Sequence, residues 1–125
     1  MNPEKLDELF FTKVKGWKWC HIADLGQSFK GWHDENMEYQ RELPPLRKSL
    51  DLQEEWLWPE LWKKGIDYAH FVYEVGNKNI ICRMCTMVGG ESRKAKIMYG
   101  NLSQTKAIVQ LTAGLKALGI EVTDE

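Results

Sequence analysis

The sequence contains no apolar run close to the roughly 20 residues that a bilayer-spanning helix needs. Its opening stretch, Met1 to Lys13, alternates charged with apolar residues and lacks the hydrophobic region of a signal peptide. No membrane partner and a cytoplasmic location are therefore expected. The three cysteines, an odd number, agree with reduced thiols in such a compartment. An excess of either charge is missing too: 17 Lys and Arg stand against 18 Asp and Glu, for a net charge of -1. Without a strong field there is no general attraction to nucleic acid, and any anion site has to be local. Internal repeats and low-complexity tracts are absent.

Catalytic groupings are scarce. The three histidines, His21, His33 and His70, are scattered, and no serine elbow, H-E-x-x-H or paired-carboxylate context accompanies them. A nucleophile needs a base within hydrogen-bond reach, and no spacing here provides one. The reading is of a protein that is not an enzyme and carries no cofactor.

What is present suits a single domain over 1–125: a length of 125 residues, 43% of them hydrophobic, with six tryptophans. Large rings at this density imply a robust core, an aromatic pocket or an interface. Asn2 can cap a helix and Pro3 fits its first turn; Leu6, Leu9, Phe10 and Val14 follow at helical spacing, predicting a helix over about 3–15 that ends at Gly16. Trp17, Trp19 and Ile22 alternate with Lys18, as in a short strand or an extended segment. From 23 to 49 periodicity dissolves among Gly26, Gly31, Pro44 and Pro45, and a long loop is expected, either packing down Phe29, Trp32 and Tyr39 or presenting them.

Asp51 to Glu54 has capping-box spacing, with Asp in place of the usual hydroxyl residue, and opens a helix over about 52–64 that Pro59 kinks or divides. Segments 68–75 and 79–88 are rich in aromatic and β-branched residues. With Gly76-Asn77-Lys78 between them they predict a hairpin over about 68–88. Ala95 to Tyr99 reads as a further short strand. Ala107, Ile108, Leu111, Leu115 and Leu118 make the apolar stripe of a last helix over about 103–118, stopped at Gly119. The expected class is α+β, an antiparallel sheet packed with three helices.

Three stretches resemble the bacteriophage ABA-sandwich family. Leu6 to Trp19, LDELFFTKVKGWKW, is similar to that family's opening helix and its KVMGWK turn. Leu43 to Lys64, LPPLRKSLDLQEEWLWPELWKK, resembles the P-x-YSTD approach to the middle helix, keeping the Ser and the Asp. Ser103 to Gly119, SQTKAIVQLTAGLKALG, is similar to the closing AICLAALKALG helix. The resemblance implies a phage or prophage origin, a host-cell cytosolic setting and α/β/α sandwich-like layering. It implies no catalytic residues.

Cys82-Arg83-Met84-Cys85 has the spacing of a zinc or redox pair, and Cys20 with His21 is the one adjacent set that could complete a metal site. Residues three apart in a strand point to opposite faces, so small half-buried side chains are the plainer reading. The stronger candidate is Gly89-Gly90-Glu91-Ser92-Arg93-Lys94-Ala95-Lys96. Gly89 and Gly90 let backbone N–H groups approach an anion, Ser92 adds a hydroxyl, and Arg93, Lys94 and Lys96 add charge. The plainer alternative is a charged loop between sheet and helix.

Trp17 and Trp19 alternate, so one packs inward. Trp58 and Trp62 lie four apart on a helix, and Trp56 about 200° away from Trp58, so one ring set is core and the other exposed. The leading reading is a phage accessory or anti-defence protein that sequesters a small anionic host ligand, a nucleotide immune signal first among them. Trp17, Trp19, Trp58 and Trp62 would stack the base, and the glycine turn would hold phosphate. Such a sponge is expected to be a homo-oligomer. The alternatives are a protein-binding inhibitor of a host defence complex and a zinc-binding protein or enzyme.

Overall fold

The computed structural model describes residues 2–24, 26–76, 78–86, 93–98 and 102–122. The described elements run α1 (Glu4–Leu9), a π-helical turn (Phe10–Val14), β1 (Lys18–Asp24), β2 (Gln27–His33), β3 (Tyr39–Gln40), a 3-10 turn (Leu46–Lys48), α2 (Leu50–Lys63), β4 (Tyr68–Glu74), β5 (Asn79–Cys85), β6 (Arg93–Met98) and α3 (Leu102–Ala117). The class is mixed α+β, with three α-helices and two antiparallel sheets, ordered β1-β2-β3 and β4-β5-β6.

The Asn2 side chain accepts from the Glu4 N–H (3.1 Å), as a helix start requires. The first helix then widens into the π turn, in which the Lys15 N–H reaches back to the Phe10 carbonyl at 3.3 Å. Phe10 and Phe11 are neighbours in sequence, yet both are fully buried. Gly16 follows at φ +74, and the Trp17 N–H closes on the Phe11 carbonyl at 2.8 Å. This turn seats the Trp17 ring against Phe11 and Trp56, at centroid distances of 4.5 and 5.9 Å.

α2 begins earlier than the capping-box spacing suggests. Ser49, not Asp51, is the cap: its extended backbone leaves the 3-10 turn and its hydroxyl accepts from the Leu52 N–H at 3.2 Å. The helix runs through Pro59 to Lys63 without a break.

In the second sheet, Phe71, Cys82 and Ala95 lie abreast, and Ile80, Cys82, Met84 and Ala95 form its buried face. α3 packs on β5 and β6 and also meets α2 and the 3-10 turn. Gly114 makes the α2 contact close, since a Cβ there would sit 2.9 Å from Leu57 Cδ2. The opposite face carries exposed Tyr68, His70 and Arg83. α3 covers the buried face of this sheet, and α1 and α2 both contact α3.

The largest departure from expectation is the segment 23–49. It is not one long loop; it holds the end of β1, all of β2 and β3, and the 3-10 turn. β1 and β2 pair from Lys18 opposite His33 to Asp24 opposite Gln27. Residues 27–30 of β2 are all exposed, so no apolar alternation marks the strand. The turn from β2 to β3 is held by local hydrogen bonds. Asp34 accepts from the Asn36 and Glu38 N–H groups (both 2.9 Å) and from Gln40 Nε2 (3.0 Å). These donors, the Glu38 N–H first, hold its carboxyl below the usual range. Trp17 Nε1 donates to Glu35, tying this turn to the core.

Gly31 is where the first sheet admits no side chain. A Cβ would lie 2.5 Å from Tyr39 Cε2 and 2.7 Å from the Gln40 carbonyl oxygen, while the Tyr39 hydroxyl donates to the Lys30 carbonyl (3.0 Å). Gly31→Val is expected to strip β3 from β2 at a cost of about 1–3 kcal/mol. Faster amide exchange at 39 and 40, with the second sheet unchanged, is the check.

Candidate functional site

A cleft of about 490 Å³ lies where the first sheet meets α1 and the segment leading to α2. Trp19 and Trp32, directly opposite in β1 and β2, form one wall. Their ring centroids are 5.1 Å apart with planes at 72°, and Trp19 remains 57% exposed. Edge-to-face packing on Trp32 fixes the Trp19 ring while leaving indole surface for a ligand.

Arg41, Arg47 and Lys48 supply the positive charge of the lining, and Glu4, Asp7, Glu8 and Glu42 the negative. These are not equivalent. Asp7 is 2% exposed and accepts the Arg47 backbone N–H at 3.0 Å and its guanidinium on the other oxygen. Arg47 also reaches Glu4 at 3.9 Å, and Glu8 pairs with Lys5 at 3.5 Å. Burial pushes the Asp7 carboxyl above its usual range, against the opposing pull of Arg47. Among the described residues no hydrogen bond or ion pair engages the side chains of Arg41 or Lys48; the Lys48 backbone N–H donates to the Pro45 carbonyl at 3.0 Å. The cleft thus offers stacking surface and the cations Arg41 and Lys48, together with the Glu42 carboxylate and a closed Asp7–Arg47 pair.

The sequence candidates do not assemble as one site. Trp17 is 5% exposed and belongs to the core, so it cannot stack a ligand. Trp19 lines the large cleft. Trp58 (8% exposed) and Trp62 (56%) line a second, smaller cleft with Glu54 and Asp67, whose charge is the wrong sign for an anion. Gly89, Gly90 and Ser92 lie outside the described residues. Arg93, Lys94 and Lys96 stand in β6, opposite Met84, Arg83 and Ile81; their side chains lie outside the description.

Cys20 and His21 belong to β1 of one sheet, Cys82 and Cys85 to β5 of the other. Cys82 is on the core face, where burial pushes its thiol up to about 12. Cys85 lies on the other face, opposite Tyr68. Among the described residues no three of His, Cys, Asp or Glu come together in a group that could hold a metal.

Trp32, Arg41 and Lys48 were missed as site residues. The signal for Trp32 was present, as an aromatic inside a segment otherwise read as loop. Arg41 and Lys48 carry no local mark, because only the fold brings 41–48 beside β1. No helix of the described residues is long and apolar enough to cross a membrane. Comparison with protein-family models, curated proteins and solved structures finds no match for this chain.

Proposed function

We propose that this chain is a non-catalytic binding protein that holds a small anionic molecule bearing a flat ring in the Trp19–Trp32 cleft. One observation carries the reading: two indoles and two cations, Arg41 and Lys48, whose side chains have no ion-pair partner among the described residues, line one cleft of about 490 Å³. Rings stack a base, and guanidinium and ammonium groups attract phosphate. In this reading Arg41 and Lys48 take the cationic role. A phage accessory role, with a nucleotide immune signal as ligand and self-association of the sponge, rests on the sequence resemblance and belongs to the same proposal.

Calorimetry against mononucleotides, cyclic nucleotides and NAD-derived nucleotides tests it. One class should bind saturably and more weakly as salt rises. Trp19→Ala should reduce affinity about tenfold or more, since stacking on an aromatic contributes about 1–3 kcal/mol. Binding to none of the panel, or affinity unchanged in Trp19→Ala and in Arg41→Ala/Lys48→Ala, would refute the assignment.

A protein-binding inhibitor is the second reading, favoured by a separate observation. Trp19, Phe29, Met37 and Tyr39 are all exposed on the first sheet and its turn. Rings exposed at this density are typical of protein contacts. A nucleotide panel without binding, together with a stoichiometric host protein captured by the native chain and lost with Phe29→Ser, would select this reading.

A further inference from the structure

The second cleft has a chemistry of its own. It measures about 280 Å³ and is lined by Trp58 and Trp62 from α2, Tyr68, Ala69 and Phe71 from β4, Gln110 from α3, and the carboxylates Glu54 and Asp67. Four of these eight residues are aromatic, and both charged ones are acidic. Among the described residues no Lys or Arg is in the lining. The helical spacing of Trp58 and Trp62 sets their rings side by side, centroids 6.3 Å apart and planes tilted by 34°. Trp58 is buried and anchors the pair, while Trp62, 56% exposed, stands at the entrance; the Tyr68 side chain is on the outer face of the sheet.

We propose that this cleft is a binding site for a small organic cation, an alkylammonium ion with the bulk of choline. Three features of the lining select that class. Aromatic faces carry negative electrostatic potential and attract a weakly hydrated cation, Trp most strongly. Glu54 adds charge of the complementary sign. A volume of about 280 Å³ falls just below the range of drug-sized pockets, so the occupant is small. Lys106 Nζ rests 4.6 Å from the Phe71 ring centroid and takes up that ring, so the ligand's cation is left to Trp58 and Trp62. An anion would meet two carboxylates here, so the ligand of the Trp19–Trp32 cleft is not expected to occupy both sites.

The experiment is a tryptophan-fluorescence titration of the full chain with choline, and with 3,3-dimethylbutan-1-ol, its uncharged isostere of the same shape. Saturable binding of choline is expected, at least about fivefold tighter than that of the alcohol, a ratio in keeping with a partly exposed cation–π site. Trp62→Ala and Glu54→Gln should each weaken choline by about threefold or more. Both positions are solvent-facing, and an unchanged circular dichroism spectrum and melting temperature will show that the fold is intact. Met37→Asn, on the turn of the first sheet, should leave the choline titration unchanged. Equal affinity for choline and the alcohol, or no saturable response to either, would overturn the proposal. So would choline binding that is indifferent to both Trp62→Ala and Glu54→Gln.

Discussion

Arg47→Met is expected to cost the fold about 3–5 kcal/mol at neutral pH, because it strands a buried carboxylate without its counter-charge. Asp7 is 2% exposed and sits on α1, while Arg47 belongs to the 3-10 turn before α2, so their pair joins segments 40 residues apart in sequence. Methionine keeps much of the aliphatic bulk, which isolates the charge. Acid dependence gives a second reading of the same effect. Burial raises the folded-state carboxyl above its unfolded value of 3.8, so the folded chain holds this proton where the unfolded chain has released it. Stability then falls as pH rises from near 3.8 through the folded-state pKa, and the penalty is complete above it.

Without the guanidinium the pKa rises further and that window widens toward neutral pH. Urea midpoints of the native chain, Arg47→Met and Asp7→Asn from about pH 3 to pH 7 should show the steepest decline in Arg47→Met, and loss of this component in Asp7→Asn. A shallow, pH-independent loss in Arg47→Met would show that the carboxylate is solvated, contrary to its geometry.

Gln53→Met should be nearly as damaging, at about 2–4 kcal/mol, although it keeps volume and adds apolar surface. Gln53 is fully buried on α2. Its Nε2 donates to the Leu46 carbonyl at 2.8 Å and the Ala107 carbonyl at 2.7 Å, and its Oε1 accepts from Gln110 Nε2 at 2.8 Å. One amide thereby joins the 3-10 turn, α2 and α3. Apolar replacement leaves Gln110, itself 5% exposed, with an unpaired donor next to the carbonyls. For a chain of this size the loss corresponds to a fall in melting temperature of roughly 8–20 °C. The double variant Gln53→Met/Gln110→Met removes the orphaned donor as well, so it should be more stable than the sum of the single changes implies. Strict additivity would mean that the two amides are not coupled.

Legibility in the sequence followed burial. The α3 stripe and the β4–β5 hairpin each turn an apolar face to the core, and a periodic apolar pattern is what such burial leaves behind. β2 turns neither face fully inward; its exposed residues at 27–30 follow no period, so a genuine strand read as loop. The cap of α2 was misplaced for another reason. Asp51 and Ser49 are both competent caps, and the choice between them lay with the 3-10 turn that delivers the chain at Ser49 in an extended conformation.

Of the candidate binding residues, Trp19 was legible because its alternation with Trp17 forces one ring outward. Trp17 was assigned to a ligand although the inward ring of such a pair belongs to the core. Trp32, Arg41 and Lys48 were not legible as a set, since their spacing in sequence has no period and their proximity arises from the docking of the first sheet beside α1.

Local physics written along the chain determined the α+β class, the helix at the end of the sequence, a hairpin read at about 68–88 and found over Tyr68–Cys85, and the inequality of neighbouring tryptophans. Each follows from chain geometry repeating at a fixed period. Tertiary structure alone decided that the rings divide between the core and two clefts, and which charges stand beside each cleft. Side chains far apart in sequence become neighbours only when packing fixes how whole elements lie against one another. The electrostatic character of a cleft is a sum over those neighbours.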